Sequence, residues 1–237
     1  MEVNKQPAQK VWRDSAGRLE VHSIFKSIQG EGPRAGIPSV FVRLAGCVLM
    51  CPGCDTDYTS VRRSMSVQEI HSSIMRTIRE TNGIIRSVVI TGGEPFRQNI
   101  SVLASHLRQW RDWPFFVEVE TNGVVSPDSS FPWHDDGVSV VCSPKTPTIH
   151  ADFRQHEGRV DWKYVLRAGE VDVDGLPKSA LLGKRPARPS RGGEIFVQPM
   201  DEADEEKNRE NVGAAVDSCM RHGYRLSLQL HKILEME

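Results

Sequence analysis

A-G-C-V-L-M-C-P-G-C-D-T-D-Y, residues 45–58, places Cys47, Cys51 and Cys54 in one short loop of a 237-residue chain that has five cysteines. Metal sites that only hold a fold together usually recruit four ligands, and this loop offers three. Three thiolates can anchor three irons of a cubane cluster and leave the fourth iron open to a ligand from outside the protein. Gly46, Pro52 and Gly53 let the backbone turn tightly around so bulky a group. The same residues also admit a Cys₃His zinc site completed by a distant residue such as His71, or a fourth thiolate from Cys142 or Cys219. Cys142 ends an apolar segment and Cys219 lies on an amphipathic one, so both read as ordinary core thiols.

Composition bounds the function. Hydrophobic residues make up 38% of the chain and charged residues 26%, as in ordinary globular proteins. With a formal net charge of −1 there is no basic field to gather nucleic acid or anionic lipid, and a small molecule is the expected ligand. The opening residues lack the apolar core of a signal peptide, and no apolar run is long enough to span a bilayer. A cytoplasmic protein without membrane contact is expected. Clustered cysteines there point to metal or redox chemistry rather than to disulfides.

Outward from the cysteine loop the chain alternates short apolar segments with polar loops and helices. Strands are expected at Val21–Ile28, Ser39–Leu44, Ser87–Thr91, Phe115–Glu120, Val138–Cys142, Val160–Leu166, Glu194–Gln198 and Leu226–Leu230. Ser66 and Glu69 form a capping box before a helix with Val67, Ile70, Ile74 and Ile78 on one face. Ile100, Leu103, Leu107 and Trp110 mark a second helix. A third starts in the acidic run Asp201–Glu206 and ends at Gly223, with charges that suit its dipole. Strands alternating with helices argue for a parallel sheet, but three long helices are too few for a full eight-fold barrel. A partial barrel with shortened helices is expected over residues 21–237 as one domain, after a loose polar arm over residues 1–20. Gly183–Gly193, basic and irregular, reads as a solvated loop.

The unusual motifs fall where strands end. Q-G-E-G (29–32), the cysteine loop, G-G-E-P (92–95), T-N-G (121–123), S-P-K (143–145), Q-P-M-D (198–201) and H-K (231–232) each follow a strand at its carboxyl end. In α/β folds that is the face on which active sites are assembled. Alternation within strands then puts Arg43, Glu118, Glu120, Gln229 and His231 on the face opposite the aliphatic residues, pointing into the barrel. Burying such groups unpartnered costs on the order of 2–7 kcal/mol for even an uncharged one, so a polar ligand cavity is expected.

C-x₃-C-x₂-C followed by G-G-E-P resembles the radical S-adenosylmethionine superfamily. With F-x-S-I-Q-G-E-G-P-R-A-G-I-P-S-V-F-V-R-L-A-G-C, C-D-T-D, E-T-N-G and L-Q-L-H-K added, the chain resembles the 7-carboxy-7-deazaguanine synthase family from about Val21 to Glu237. The resemblance implies a trimmed (β/α)₆-like barrel of radical SAM type. It also implies a lyase that converts 6-carboxytetrahydropterin to 7-carboxy-7-deazaguanine with loss of ammonia, on the way to queuosine and related 7-deazapurines. A 5′-deoxyadenosyl radical would take a hydrogen from C6 of the substrate.

The resemblance assigns residues as well. Cys47, Cys51 and Cys54 would hold a [4Fe–4S] cluster, and Thr56 would ligate Mg²⁺. Gly92, Gly93, Glu94, Gly123, Ser143, Pro144, Lys145, Gln198, Pro199, Met200 and Asp201 would bind S-adenosylmethionine. Ile28, Gln29, Gly30, Glu31, Arg43, Thr121, His231 and the terminal carboxylate of Glu237 would face the pterin. No catalytic residue beyond the cofactors is expected. An electron donor such as flavodoxin or ferredoxin and a homodimer are the implied partners. Two rivals share the cysteine loop: another radical enzyme, such as a glycyl-radical activase, and a non-catalytic zinc module. Q-G-E-G, an inward Arg43 and L-Q-L-H-K suit a small anionic heterocycle better than a polypeptide.

Overall fold

The computed structural model describes residues 4–110 and 115–236. Nine strands form one sheet in the order β3-β1-β2-β4-β5-β6-β7-β8-β9. The strands are β1 Leu19–Ile28, β2 Pro38–Leu44, β3 Arg63–Met65, β4 Ser87–Gly92, β5 Phe116–Thr121, β6 Val138–Cys142, β7 Val160–Leu166, β8 Ile195–Pro199 and β9 Arg225–Leu226. From β2 through β9 every neighbouring pair is parallel, while β1 runs antiparallel to both β2 and β3. The sheet does not close. It is the partial barrel expected, with a hairpin-like edge added by β1 and the short, unforeseen β3.

Helices cover the outer face. α1 (Val67–Arg79) starts at the Ser66–Glu69 capping box, with both reciprocal bonds formed. Its Val67, Ile70, Ile74 and Ile78 join Val40, Val42, Val88 and Ile90 in the core. α2 (Ser101–Arg108) adds Leu103 and Leu107. It stops before Trp110, whose ring instead packs 4.0 Å from that of His71. α3 (Asp152–Gln155) is a single turn, as the short connection demanded. α4 (Glu205–His222) is capped by Asp204, which accepts from Lys207 N–H, and ends at Gly223 with φ 73°.

Two expected elements differ. The strand foreseen at Leu226–Leu230 stops at Leu226, and Leu230–Ile233 forms the short helix α5. Beyond Leu226 the chain leaves the sheet edge: Ser227 N–H still bonds Val197 C=O, but Leu230 N–H reaches across to Gly30 C=O after β1. The carboxyl-terminal segment thereby bridges the open side of the barrel. The stretch Gly183–Gly193 is not simply solvated. Arg185 and Arg188 pair with Asp172, Arg188 also pairs with Asp174, and Ala187 donates to Thr146 C=O and accepts from the buried Tyr164 hydroxyl. The acidic partners of Arg185 and Arg188 lie outside the stretch itself.

Ile74→Ala, at a position with no exposure, should lower the unfolding free energy by about 2–5 kcal/mol, read as a reduced urea midpoint. An unchanged midpoint would mean that α1 does not pack on the sheet as described.

Candidate active site

The loops at the carboxyl ends of β2 and β4 meet backbone to backbone. Glu94 N–H donates to Gly46 C=O at 3.0 Å and Gly93 N–H to Leu44 C=O at 3.3 Å. A Cβ on Gly93 would overlap the Gly46 carbonyl oxygen, and one on Gly92, at φ 121°, would overlap Leu44. Only glycines permit this approach. Glu94 then caps the turn Pro95–Arg97. Directly after it, Arg97 and Gln98 reach back to Ala45 C=O and to Glu20 on β1.

Cys47 and Cys51 are buried, Cys54 is half-buried, and all three are free thiols. Burial pushes the Cys47 thiol up to about 12, with Glu94 and the other two cysteines adding to the rise. Cys51 and Cys54 are raised too, burial again first. Three thiols that discourage one another's ionisation form a donor set that a cationic metal group would relieve. Among the described residues no three His, Cys, Asp or Glu side chains are drawn together as a ready single-ion site. Of the alternative fourth ligands, Cys142 lies under Gly123, where a Cβ would stand 2.6 Å from its sulfur, His71 packs against His106 and Trp110, and Cys219 lies on α4.

Glu94 has no exposure. It accepts from Thr121 Oγ1 at 2.7 Å, Asn122 N–H at 2.8 Å and Phe96 N–H at 3.0 Å, while burial pushes it up to about 7. Thr121, expected at the substrate, therefore spends its hydroxyl on Glu94, and Asn122 Nδ2 lies 3.9 Å from Cys47 Sγ. Ser143 N–H bonds Thr121 C=O and Lys145 Nζ donates to Ser143 Oγ at 2.6 Å. Pro52 and Gly53 of the cysteine loop, Pro144, Lys145, Tyr164 and Met200 line a common cavity of about 270 Å³. Gln198 is buried with its Oε1 unpartnered. Asp201 is occupied by Lys232 at 2.8 Å and by Asn208, and the Lys232 bond leads the interactions that hold its carboxyl well below the usual range. Lys232 also stands 3.6 Å from Asp55, so α5 is tied to the cysteine loop.

The barrel interior carries both signs of charge, as alternation foretold. Gln29 donates to Glu118 and Glu120, and accepts from Glu31 N–H, so its amide is fully used. Burial, then Glu120, pushes the Glu118 carboxyl up to about 8, and its Oε2 has no hydrogen-bond donor. Burial would raise Glu31 as well, but the ion pair with Lys163, a bond from Gln229 and nearby His231 hold it down at about 2. His231 lies on the bare backbone of Gly30, where a side chain would overlap its ring. Ile28 closes β1 beside them. Arg43 is half-buried with its guanidinium 4.9 Å from the centre of the Phe25 ring. Glu237 lies outside the described residues.

Over 237 aligned residues the chain is 40% identical to the 7-carboxy-7-deazaguanine synthase of Rhodospirillum rubrum, covering 92% of each. It is 36% identical to that of Rickettsia prowazekii, covering 98% of this chain and 94% of the relative. The chain belongs to the 7-carboxy-7-deazaguanine synthase family. A family model described as a 4Fe-4S single cluster domain matches residues 28–115. The crystal structure of QueE from Escherichia coli shares the fold, with a TM-score of 0.63 at 22% identity over 90% of this chain and 94% of that one.

Membership in the synthase family sets aside the glycyl-radical activase and the zinc module. It makes the chain a radical S-adenosylmethionine enzyme of lyase type, with an iron–sulfur and S-adenosylmethionine cofactor system. Lys163 is a further interior residue, and its sequence signal is the alternation of Asp161, Lys163 and Val165 with buried Val160, Trp162, Tyr164 and Leu166. Arg34, 3.8 Å from Glu118, ends the short turn Gly32–Arg34 and carries no such pattern.

Between about pH 4.5 and about pH 8 the folded chain keeps a proton on Glu118 that the unfolded chain has released. Stability from this group therefore falls as pH rises through that window, by up to about 1.4 kcal/mol per pH unit. Glu118→Gln should flatten that part of the profile, read from urea midpoints across the window. Parallel profiles would mean that Glu118 is ionised throughout.

Proposed function

We propose that this chain converts 6-carboxy-5,6,7,8-tetrahydropterin to 7-carboxy-7-deazaguanine with loss of ammonia, in the formation of queuosine and related 7-deazapurines. The observation that carries it is a site in two halves on one face of the barrel. Pro52 and Gly53 of the cysteine loop, with Pro144, Lys145 and Met200, border a cavity on one side, and an interior carrying both signs of charge lies on the other. Family membership supports the reading over nearly the whole chain.

Cys47, Cys51 and Cys54 would hold a [4Fe–4S] cluster with one iron left for S-adenosylmethionine. Bound there, the pair would supply a carbon radical that takes hydrogen from the substrate. The cofactor would lie against Gly92–Glu94, Gly123, Ser143–Lys145 and Gln198–Asp201. Within this group Glu94 and Asp201 brace the loops, while Lys145 and Gln198 offer polar atoms. Burial, then Lys163, pulls the Lys145 ammonium down, which eases its placement beside thiols and a cationic sulfonium.

The interior is suited to a ring edge that mixes donors and acceptors. Glu118, held neutral near pH 7, can donate from its own O–H, whereas Glu31, held ionised, only accepts. Two carboxyls thus take opposite parts, and Gln29 fixes the pair Glu118–Glu120 in place. Arg43, stacked on Phe25, would fork onto the substrate carboxylate. His231 beside Gly30 completes the wall. Thr56 would ligate Mg²⁺ through a hydroxyl whose present partner is Asp55 at 3.4 Å. An electron donor such as flavodoxin or ferredoxin, and a homodimer, belong to the same reading. Among the described residues no helix is long and apolar enough to cross a membrane.

Anaerobic incubation of reconstituted protein with S-adenosylmethionine, reductant, Mg²⁺ and 6-carboxytetrahydropterin should yield the carboxylated deazapurine. Formation of 5′-deoxyadenosine without deazapurine would overturn the substrate assignment. Thr56→Ala should raise the Mg²⁺ needed for half-maximal rate by about tenfold or more and leave the cluster intact. Loss of the cluster in that variant would assign Thr56 to the loop rather than the ion.

A further inference from the structure

The cysteine loop does little to hold its own shape. Between residues 47 and 57 there is one backbone-to-backbone bond, Cys54 N–H to Cys51 C=O at 3.1 Å, beside Leu49 N–H to Cys47 Sγ and Cys54 Sγ to Thr56 C=O, and Gly46 N–H to Tyr58 C=O closes the neck. Lys232 at Asp55, Asn122 at Cys47 Sγ and the Tyr58 hydroxyl at Leu49 C=O each touch the loop once, while residues 4–9 of the polar arm bond its backbone repeatedly. Asn4 N–H bonds Pro52 C=O at 2.8 Å and Asn4 Nδ2 bonds Cys51 C=O at 3.0 Å. Gln9 N–H bonds Cys47 C=O at 2.7 Å.

Gln6 lies between them. Its Nε2 donates to Thr56 C=O at 2.9 Å, and its Oε1 accepts from Tyr58 N–H at 2.7 Å and from Thr59 Oγ1 at 3.0 Å. Its backbone carbonyl takes the hydroxyl of Tyr58, a side chain only 1% exposed. The side-chain amide thus pairs with the loop as a neighbouring strand would. None of these bonds ends on a cysteine sulfur, so the thiols stay available to a metal.

The arm is itself fastened to the body. Trp12 N–H bonds Arg97 C=O, Arg13 bonds Ser126 C=O, and Gln9 Oε1 accepts from Arg62. Gly46 leaves the room required, since a Cβ there would come 2.5 Å from Gln9 Oε1 and 2.8 Å from the Arg97 guanidinium. A loop with one internal backbone-to-backbone bond takes its shape from what is bonded to it. The arm grips the carbonyls of two of the three cysteines, Cys47 and Cys51.

We propose that Asn4–Gln9 is a clasp that positions the three cysteines for the cluster, with Gln6 as its central residue. The inference rests on the reading of the loop as an iron–sulfur site. It gives the arm a positioning part in the enzyme: the loop is shaped before metal arrives and holds the cluster longer afterwards.

Two readouts test it, in Gln6→Ala and in a chain lacking residues 2–9, with the exposed Lys10→Ala as control. In the cluster-free proteins, amides of residues 47–58 should exchange hydrogen about tenfold faster in both test variants, the effect of losing several hydrogen bonds. In the reconstituted proteins, iron release to a ferrous chelator should speed up by a similar factor, while the urea midpoint of Gln6→Ala stays near the parent's. Exchange and release rates indistinguishable from the parent's would overturn the clasp. So would a change that merely follows the urea midpoint. If the truncated chain does not fold, Gln6→Ala decides. A parent chain that takes up no cluster overturns the iron–sulfur reading itself, and a clasp for the cluster with it.

Discussion

Two stretches of backbone touch with no side chain between them, and the site is built outward from that contact. Gly92 and Gly93, leaving β4, lie on Leu44 and Gly46, leaving β2, at a separation that a single methyl group would break. The contact fixes where the cysteine loop begins. It also delivers Glu94 to Thr121 and Asn122, so the carboxyl ends of β2, β4 and β5 are locked into one surface. A carboxyl buried this deeply is tolerated because three donors meet it. Through those bonds it holds the loops together.

The interior solves a related problem with charges. Glu31, Glu118, Glu120 and Lys163 share a space shut off from bulk water on most sides. Pairing Glu31 with Lys163 leaves Glu118 in excess beside Glu120, and the cheapest way to bury it is with a proton. The result is one carboxyl able to donate and one that accepts, held by Gln29 and Gln229. The carboxyl-terminal segment completes the wall by leaving the sheet edge at Leu226 and crossing to Gly30. Lys232 joins it to Asp55 and Asp201, so α5 is coupled to the cysteine loop.

Much of this was legible in the sequence because it follows from periodicity and from chemistry that few residues can supply. Alternation placed Glu118, Glu120 and Arg43 on the inner face, and the capping residues Ser66 and Gly223 fixed helix ends. What escaped was set by distant partners. Nothing local in L-S-L-Q-L-H says that Leu230 N–H will bond Gly30 instead of another strand. Arg185 and Arg188 looked solvated because Asp172 and Asp174 stand outside their stretch. The polar arm read as loose for the same reason: Asn4, Gln6 and Gln9 have no apolar pattern, and their partners are carbonyls some forty residues and more away. Glu94 and Thr121 also bond each other, a pairing that only the meeting of β4 and β5 could reveal.

The central claim is that the three-cysteine loop carries an iron–sulfur cluster with one iron open to S-adenosylmethionine. The most direct measurement is electron paramagnetic resonance of the anaerobically reduced protein, with and without S-adenosylmethionine, alongside metal and sulfide analysis. The account predicts iron and sulfide in equal amounts and a cluster spectrum that changes when the cofactor binds. Zinc in the loop, or a cluster signal indifferent to S-adenosylmethionine, would contradict it.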